Sequence, residues 1–249
     1  MYNDPLLRMS PKLNSTSFLI VFGLGVFLLG MLFINTCKRI YLDPNEFTEG
    51  RVIYQITYPE LDSAHLFMPF LPHKMIMQVK GKKLKNETKS GLGLFQTGMI
   101  ANLTKKSAIS YMKLINVRYK TSFDEQYFEL VNEATNIDPV VIDSSTTDFG
   151  EPIKRALVKY PWSETQDTIR FTAATYSPNL NFNIGFGMVD GILLEYEQRL
   201  EGVVLHFKAV SIERESVPKS EFKLDPDYRE LNRLDFMKEM SKTLSPLRD

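Results

Sequence analysis

Residues 51–58 read RVIYQITY, and in this run Val52, Tyr54 and Ile56 share one face while Ile53 and Gln55 share the other. Strict alternation among β-branched and aromatic side chains is the pattern of a half-buried strand. The same period returns downstream. Residues 74–80, KMIMQVK, place Met75, Met77 and Val79 together, and in residues 203–214 Val203, Leu205, Phe207 and Ala209 oppose Val204, His206, Lys208 and Val210. One face buried and the other partly wet describes an antiparallel sheet over a core.

Between these runs the signals continue. Residues 82–89 alternate Leu84 with charges, which predicts a solvent-facing or edge strand. A turn at Gly91 and Gly93 leads to strands over 94–103, 108–114 and 116–121, spaced as in a meander. A helix is expected from a cap at Ser122 or Asp124 to Asn136, with Tyr127, Leu130, Val131 and Ala134 at helical spacing. Residues 143–152, DSSTTDFGEP, read as a long polar loop. Strands resume over 153–160, 168–176, 192–200 and 203–214, the last two joined by a tight hairpin at Glu201-Gly202. Residues 234–244 carry an amphipathic helical pattern that ends before Pro246.

Residues 18–34, FLIVFGLGVFLLGMLFI, form an uncharged run that reaches spanning length once its polar edges are counted, so a transmembrane helix is expected over 15–37. Cys37 follows directly, which leaves two readings open: an uncleaved anchor, or a lipoprotein signal in which Cys37 is the lipidation site. Lys38 and Arg39 balance Arg8 and Lys12, so charge does not set the orientation.

Lysine plus arginine and aspartate plus glutamate both number 30, so no basic field exists to hold a polyanion and nucleic acid is not an expected partner. The single cysteine excludes an internal disulfide and a cysteine-based zinc site. His65, His73 and His206 lack neighbours at metal-ligand spacing. No serine sits in a nucleophile elbow and no glycine run leads a strand into a helix, so neither a catalytic residue, a metal nor a cofactor is expected.

The most informative local feature is residues 66–72, LFMPFLP, where two prolines within an unbroken apolar run forbid a central strand or helix. An apolar loop of this kind packs inward, covers an apolar cavity, or meets a membrane or partner. With the neighbouring methionines and the stretch GLGLFQTGM at 91–99, it nominates Phe67, Met68, Phe70, Leu71, Met75, Met77, Leu94, Phe95 and Met99 as ligand-binding residues. Methionine suits such a lining because its unbranched side chain adapts to irregular apolar shapes.

Three stretches, GRVIYQITYPELD from Gly50, LPHKMIMQVKGKKLKNETKSGLGLFQTGMI from Leu71 and VDGILLEYEQRLEGVVLHFKAVSIERESVPKSEFKLDPDYREL from Val189, resemble an uncharacterised family of bacterial envelope proteins, many of them lipoproteins. Near the end, Phe222, Leu224, Pro226 and Tyr228 match the family pattern, with Asp225 inserted between Leu224 and Pro226. That family looks related to the LolA and LolB carrier fold. The resemblance implies a curved antiparallel sheet wrapped around helices, with an apolar cavity that holds lipid.

The expected architecture is therefore α+β: an N-terminal transmembrane helix and a curved antiparallel sheet, an open half-barrel packed on one or two helices. Residues 1–14 are read as a tail, 15–37 as the anchor or signal, 38–50 as a linker, 51–231 as the extracytoplasmic domain and 232–249 as the C-terminal helix and tail. The expected function is non-catalytic binding of a lipid or acyl chain in the concavity of the sheet. The alternative is an accessory subunit docked on other envelope membrane proteins without a ligand. The expected location is the bacterial inner membrane with the domain in the periplasm, or the outer membrane as a lipoprotein.

Overall fold

The first alternating run becomes β1 (Glu49–Thr57), in which Gly50, Val52, Tyr54 and Ile56 are buried while Gln55 and Thr57 are exposed. The computed structural model describes residues 47–62, 68–90, 93–135, 137–173, 180–200 and 202–244, all within one of the chain's two compact units, Asn45–Asp249. After β1 come β2 (Lys74–Lys80), β3 (Lys83–Lys89), β4 (Phe95–Asn102), β5 (Ser107–Leu114) and β6 (Val117–Phe123). Helix α1 (Glu125–Thr135) leads to β7 (Val140–Asp148), β8 (Glu151–Lys159), β9 (Gln166–Thr172), β10 (Leu193–Leu200) and β11 (Val203–Glu213). A two-residue β12 (Arg229–Glu230) and helix α2 (Arg233–Leu244) complete the order.

All twelve strands form one sheet in the order β12-β6-β5-β4-β3-β2-β1-β11-β10-β9-β8-β7. Every pairing is antiparallel except the short parallel contact of β12 with β6. Helix α1 therefore connects β6 to β7, the far edge of the sheet.

Four expectations are corrected. The α+β architecture gives way to a mostly β fold, since 50% of the described residues are strand and the helices are two short ones. The expected transmembrane helix is not part of the described architecture: no helix among the described residues is long and apolar enough to cross a membrane, and residues 15–37, Cys37 included, lie outside the described residues. The expected loop at 143–152 is instead the end of β7, a turn and the start of β8. Phe149 and Gly150 have φ of 53° and 75°, the two left-handed positions of a hairpin turn. Strand β3 is interior to the sheet, between β2 and β4; its charged residues are accommodated because they pair with one another and with a covering segment on the outer face.

Register defines the inner face. Val79, Leu84, Ala101, Ala108 and Phe123 form one row across β2 to β6, and all are buried. Burying such a row contributes about 25 cal/mol per Å2 of apolar surface, which makes this face the main source of stability. Helix α2 packs against β6 and buries Phe236 and Met240. Its start is capped reciprocally: Asp235 N–H donates to Asn232 Oδ1 at 2.9 Å, and Asn232 Nδ2 donates to Asp235 Oδ2 at 2.6 Å. Residues 180–191 add Phe182 and Phe186 to the core, and Asn181 Nδ2 ties the ends of that segment by donating to the carbonyls of Val189 and Gly191 at 2.7 and 2.8 Å.

The outer face of β2 to β6 is crossed by residues 214–228. Val217 N–H donates to Glu49 Oε1 at 2.6 Å, Lys85 pairs with Glu221 at 3.4 Å, and Arg118 pairs with Asp227 at 3.1 Å. Phe222 and Tyr228 are buried beneath this strap, Tyr228 meeting the ring of Tyr111 edge-on at 5.5 Å. The C-terminal residues Phe222 and Tyr228 thus anchor the strap.

Candidate apolar ligand cavity

A cavity of about 290 Å3 lies on the inner face. Met75 of β2, Phe95 and Met99 of β4, and Leu71 ahead of β2 form one wall. Leu200 of β10, Leu205 and Phe207 of β11 and Met240 of α2 form another. Ser110 of β5 and Leu200 of β10 line the same space although six strand steps separate β5 from β10. In a flat sheet those strands lie about 29 Å apart, at about 4.8 Å per step. The sheet must therefore curl around the cavity, and the register shifts in the β1–β11 and β9–β10 pairings are bulges of the kind that bend strands.

The residues nominated from sequence fall in four groups. Leu71, Met75, Phe95 and Met99 line the cavity together. Met77 is buried in the core beyond it, paired with Val52 and Asn86, and Met68 sits in a single 3-10 turn packed on the core. Phe70 and Leu94 are 43% and 41% exposed and stand outside the lining. Phe67 lies outside the described residues, as does the candidate lipidation site Cys37.

The end of the apolar loop is held against the sheet. Tyr58 Oη donates to the Pro72 carbonyl at 2.6 Å, its ring meets His73 edge-on, and His73 Nε2 lies 3.1 Å from the Met68 carbonyl. Burial pushes the Tyr58 hydroxyl, and likewise that of Tyr196 in the opposite wall, well above the ordinary tyrosine range. Both lining phenols are therefore neutral at any physiological pH. Arg199 borders the cavity with its guanidinium engaged, Nε donating to the Gly202 carbonyl at 3.2 Å and the fork 3.9 Å from Glu60.

The wall is not uniformly apolar. Asn86 and Thr88 of β3, Thr97 of β4 and Asn183 of the 180–191 segment also line it. Thr88 and Thr97 spend their hydroxyl protons on strand carbonyls, at 3.5 Å to Thr97 and 3.3 Å to Tyr111. Asn86 Oδ1 and Asn183 Oδ1 are buried without a hydrogen-bond partner among the described residues. Sequence reading missed Asn86 and Thr88 because NETK alternates as an exposed edge does, and missed Met240 and Asn183 because only the tertiary fold brings them here.

Neither histidine nor cysteine is among the lining residues, and among the described residues no group of three or more His, Cys, Asp or Glu is placed to hold a metal ion. The arrangement can bury an apolar body along walls that also carry polar side chains. No protein-family model matches the chain, and no curated protein matches it.

Proposed function

We propose that the domain binds a hydrophobic ligand, a lipid or an acyl chain, in the concavity of its sheet, without catalysis and at the bacterial cell envelope. The observation that carries this reading is the cavity shared by Leu71, Met75, Phe95 and Met99 with Leu205, Phe207 and Met240, a largely apolar concavity formed where the sheet curls. Its volume of about 290 Å3 is at the lower end of ligand-site sizes, which run from about 300 to 1,000 Å3. A chain of about eight methylenes suits it, and at about 0.8 kcal/mol each they supply about 6 kcal/mol of transfer free energy before the cost of immobilisation. Methionine side chains at three positions of the lining accommodate chains of differing shape.

Native mass spectrometry of the full chain, extracted gently from its own cells, tests this reading. A bound lipid mass on the noncovalent complex, lost on organic extraction, is the expected result. A chain that carries no ligand and takes up none when offered lipid extract contradicts it.

A second reading, an accessory subunit docked on other envelope proteins, is favoured by one observation. The terminal strand β7 exposes Val140, Val141 and Ile142 at 60%, 53% and 48%. An apolar strand at the end of a sheet is a template for pairing with another chain.

A further inference from the structure

Resting on the ligand-binding reading, we propose that the mouth of the cavity docks on an anionic lipid surface, its apolar rim entering the bilayer so that a ligand passes into the cavity without crossing water. The cavity reaches one end of the sheet at Leu71, just ahead of β2, at Phe95, the first residue of β4, and at Leu200, the last of β10. The exposed Phe70 and Leu94 each directly precede one of these lining residues. Ile115 N–H donates to the Leu94 carbonyl at 2.7 Å, which sets the tip of the β5–β6 hairpin, with the exposed Ile115 and Val117, beside Leu94. Four large apolar side chains thus stand in solvent where the cavity arrives, as on surfaces that meet a partner or a membrane.

Ile115 stands there against the preference of its backbone. It is the first of two loop residues between the paired Leu114 and Val117, and its φ of 51° is a left-handed position that glycine usually fills and a β-branched residue rarely takes. At 57% exposure, packing within the fold does not offset that strain, whereas entry into lipid does. Behind the rim, register lines up cations on the outer face. Lys89 pairs with Gln96, Gln96 with Lys113 and Lys113 with Arg118, and the pairing of Met75 with Thr88 sets Lys74 opposite Lys89. Glu87 engages Lys89, and Asp225 and Asp227 engage Arg118, while Lys74 and Lys113 form no ion pair among the described residues. Apolar tips backed by unpaired lysines suit a bilayer with anionic head groups, and the cavity behind them takes the same lipid chemistry.

The test attaches the fluorophore NBD to the full chain at Val117→Cys on the rim or at Ile109→Cys near the other end of β5, each combined with Cys37→Ser, and adds vesicles of phosphatidylcholine alone or mixed with phosphatidylglycerol. NBD brightens on leaving water and reports on its own residue, whatever else of the chain enters the bilayer. The rim label is expected to brighten about threefold on mixed vesicles and the Ile109→Cys label to stay unchanged. Leu94→Asn with Ile115→Gly removes the rise. Ile115→Gly alone keeps the melting temperature at or above that of the parent because it relieves the left-handed position, which separates loss of docking from loss of fold. A rim label that stays dark, that brightens together with the Ile109→Cys label, or that brightens despite both substitutions overturns the docking. Equal brightening on phosphatidylcholine alone overturns the anionic surface, and brightening with protein concentration before vesicles are added overturns lipid as the occupant and makes the rim a contact between copies. N-phenylnaphthylamine uptake by the unlabelled chain keeps the two readings apart. Uptake without rim insertion overturns the docking alone, and rim insertion without uptake overturns ligand binding and with it the passage into the cavity.

Discussion

Tyr111 Oη donates a 2.6 Å hydrogen bond to Glu87 Oε2 across Gly98, the residue that pairs with both of them in the sheet. Three strands are bridged by one phenol. Only glycine leaves room for it: a Cβ at position 98 meets Tyr111 Cζ and Oη at 2.5 Å and the Asn86 carbonyl oxygen at 2.7 Å. Gln96 Nε2 donates to the same carboxylate oxygen at 2.8 Å, and Lys85 and Lys89 approach at 3.2 and 2.8 Å. The strap above adds the Tyr228 ring.

Gly98→Ala is accordingly expected to destabilise by about 1 to 3 kcal/mol, because the phenol must leave Glu87 and a backbone carbonyl cannot move aside cheaply. Urea unfolding of the two proteins measures it. A change under about 0.5 kcal/mol shows that Tyr111 is not held over position 98.

Glu87 links this cluster to pH. Burial raises its pKa, but hydrogen bonds from Lys89 and Tyr111 and the charges of Lys85 and Lys89 outweigh burial and lower it from 4.5 to about 2. A carboxyl held below its unfolded value stabilises fully above 4.5, and that contribution is lost as pH falls from 4.5 toward about 2. Relative to Glu87→Gln, the parent is expected to gain about 1 to 2 kcal/mol at neutral pH after solvent screening, and none below about pH 2. Unfolding midpoints across that window decide it; a difference independent of pH rules out the charged network.

Val141→Lys on β7 addresses the accessory-subunit reading. The side chain is 53% exposed, so folding stability is expected to change by under about 0.5 kcal/mol. If β7 is a docking strand, partner chains that co-purify with the parent are lost from the variant. Identical co-purification removes β7 from that role.

Strands β1 to β6 are legible in the sequence because alternation and turn residues agree there, as at Gly81, which takes a left-handed φ of 55° between β2 and β3. Strand β7 is not. Its Val140-Val141-Ile142 followed by polar residues has no period of two, its pairing with β8 slips twice, and its hairpin turn uses Phe149 where Asn or Asp is usual. The candidate site divides along the same line. Leu71, Met75, Phe95 and Met99 stand out as a local apolar cluster, whereas Met77 shares the face of Met75 and is nevertheless core. Which positions reach the cavity depends on the curl that carries β10 and β11 opposite β4, and no single strand's pattern encodes that curl.

The most direct test of the account is titration of the lipid-stripped chain and of Met99→Trp with the fluorophore N-phenylnaphthylamine. Met99 lines the cavity from β4, so Trp at position 99 takes up cavity volume. Saturable binding of one fluorophore per chain, weakened at least tenfold in Met99→Trp at unchanged melting temperature, is the predicted result. Binding that is unsaturable, or equally tight in the variant, contradicts the cavity as the ligand site.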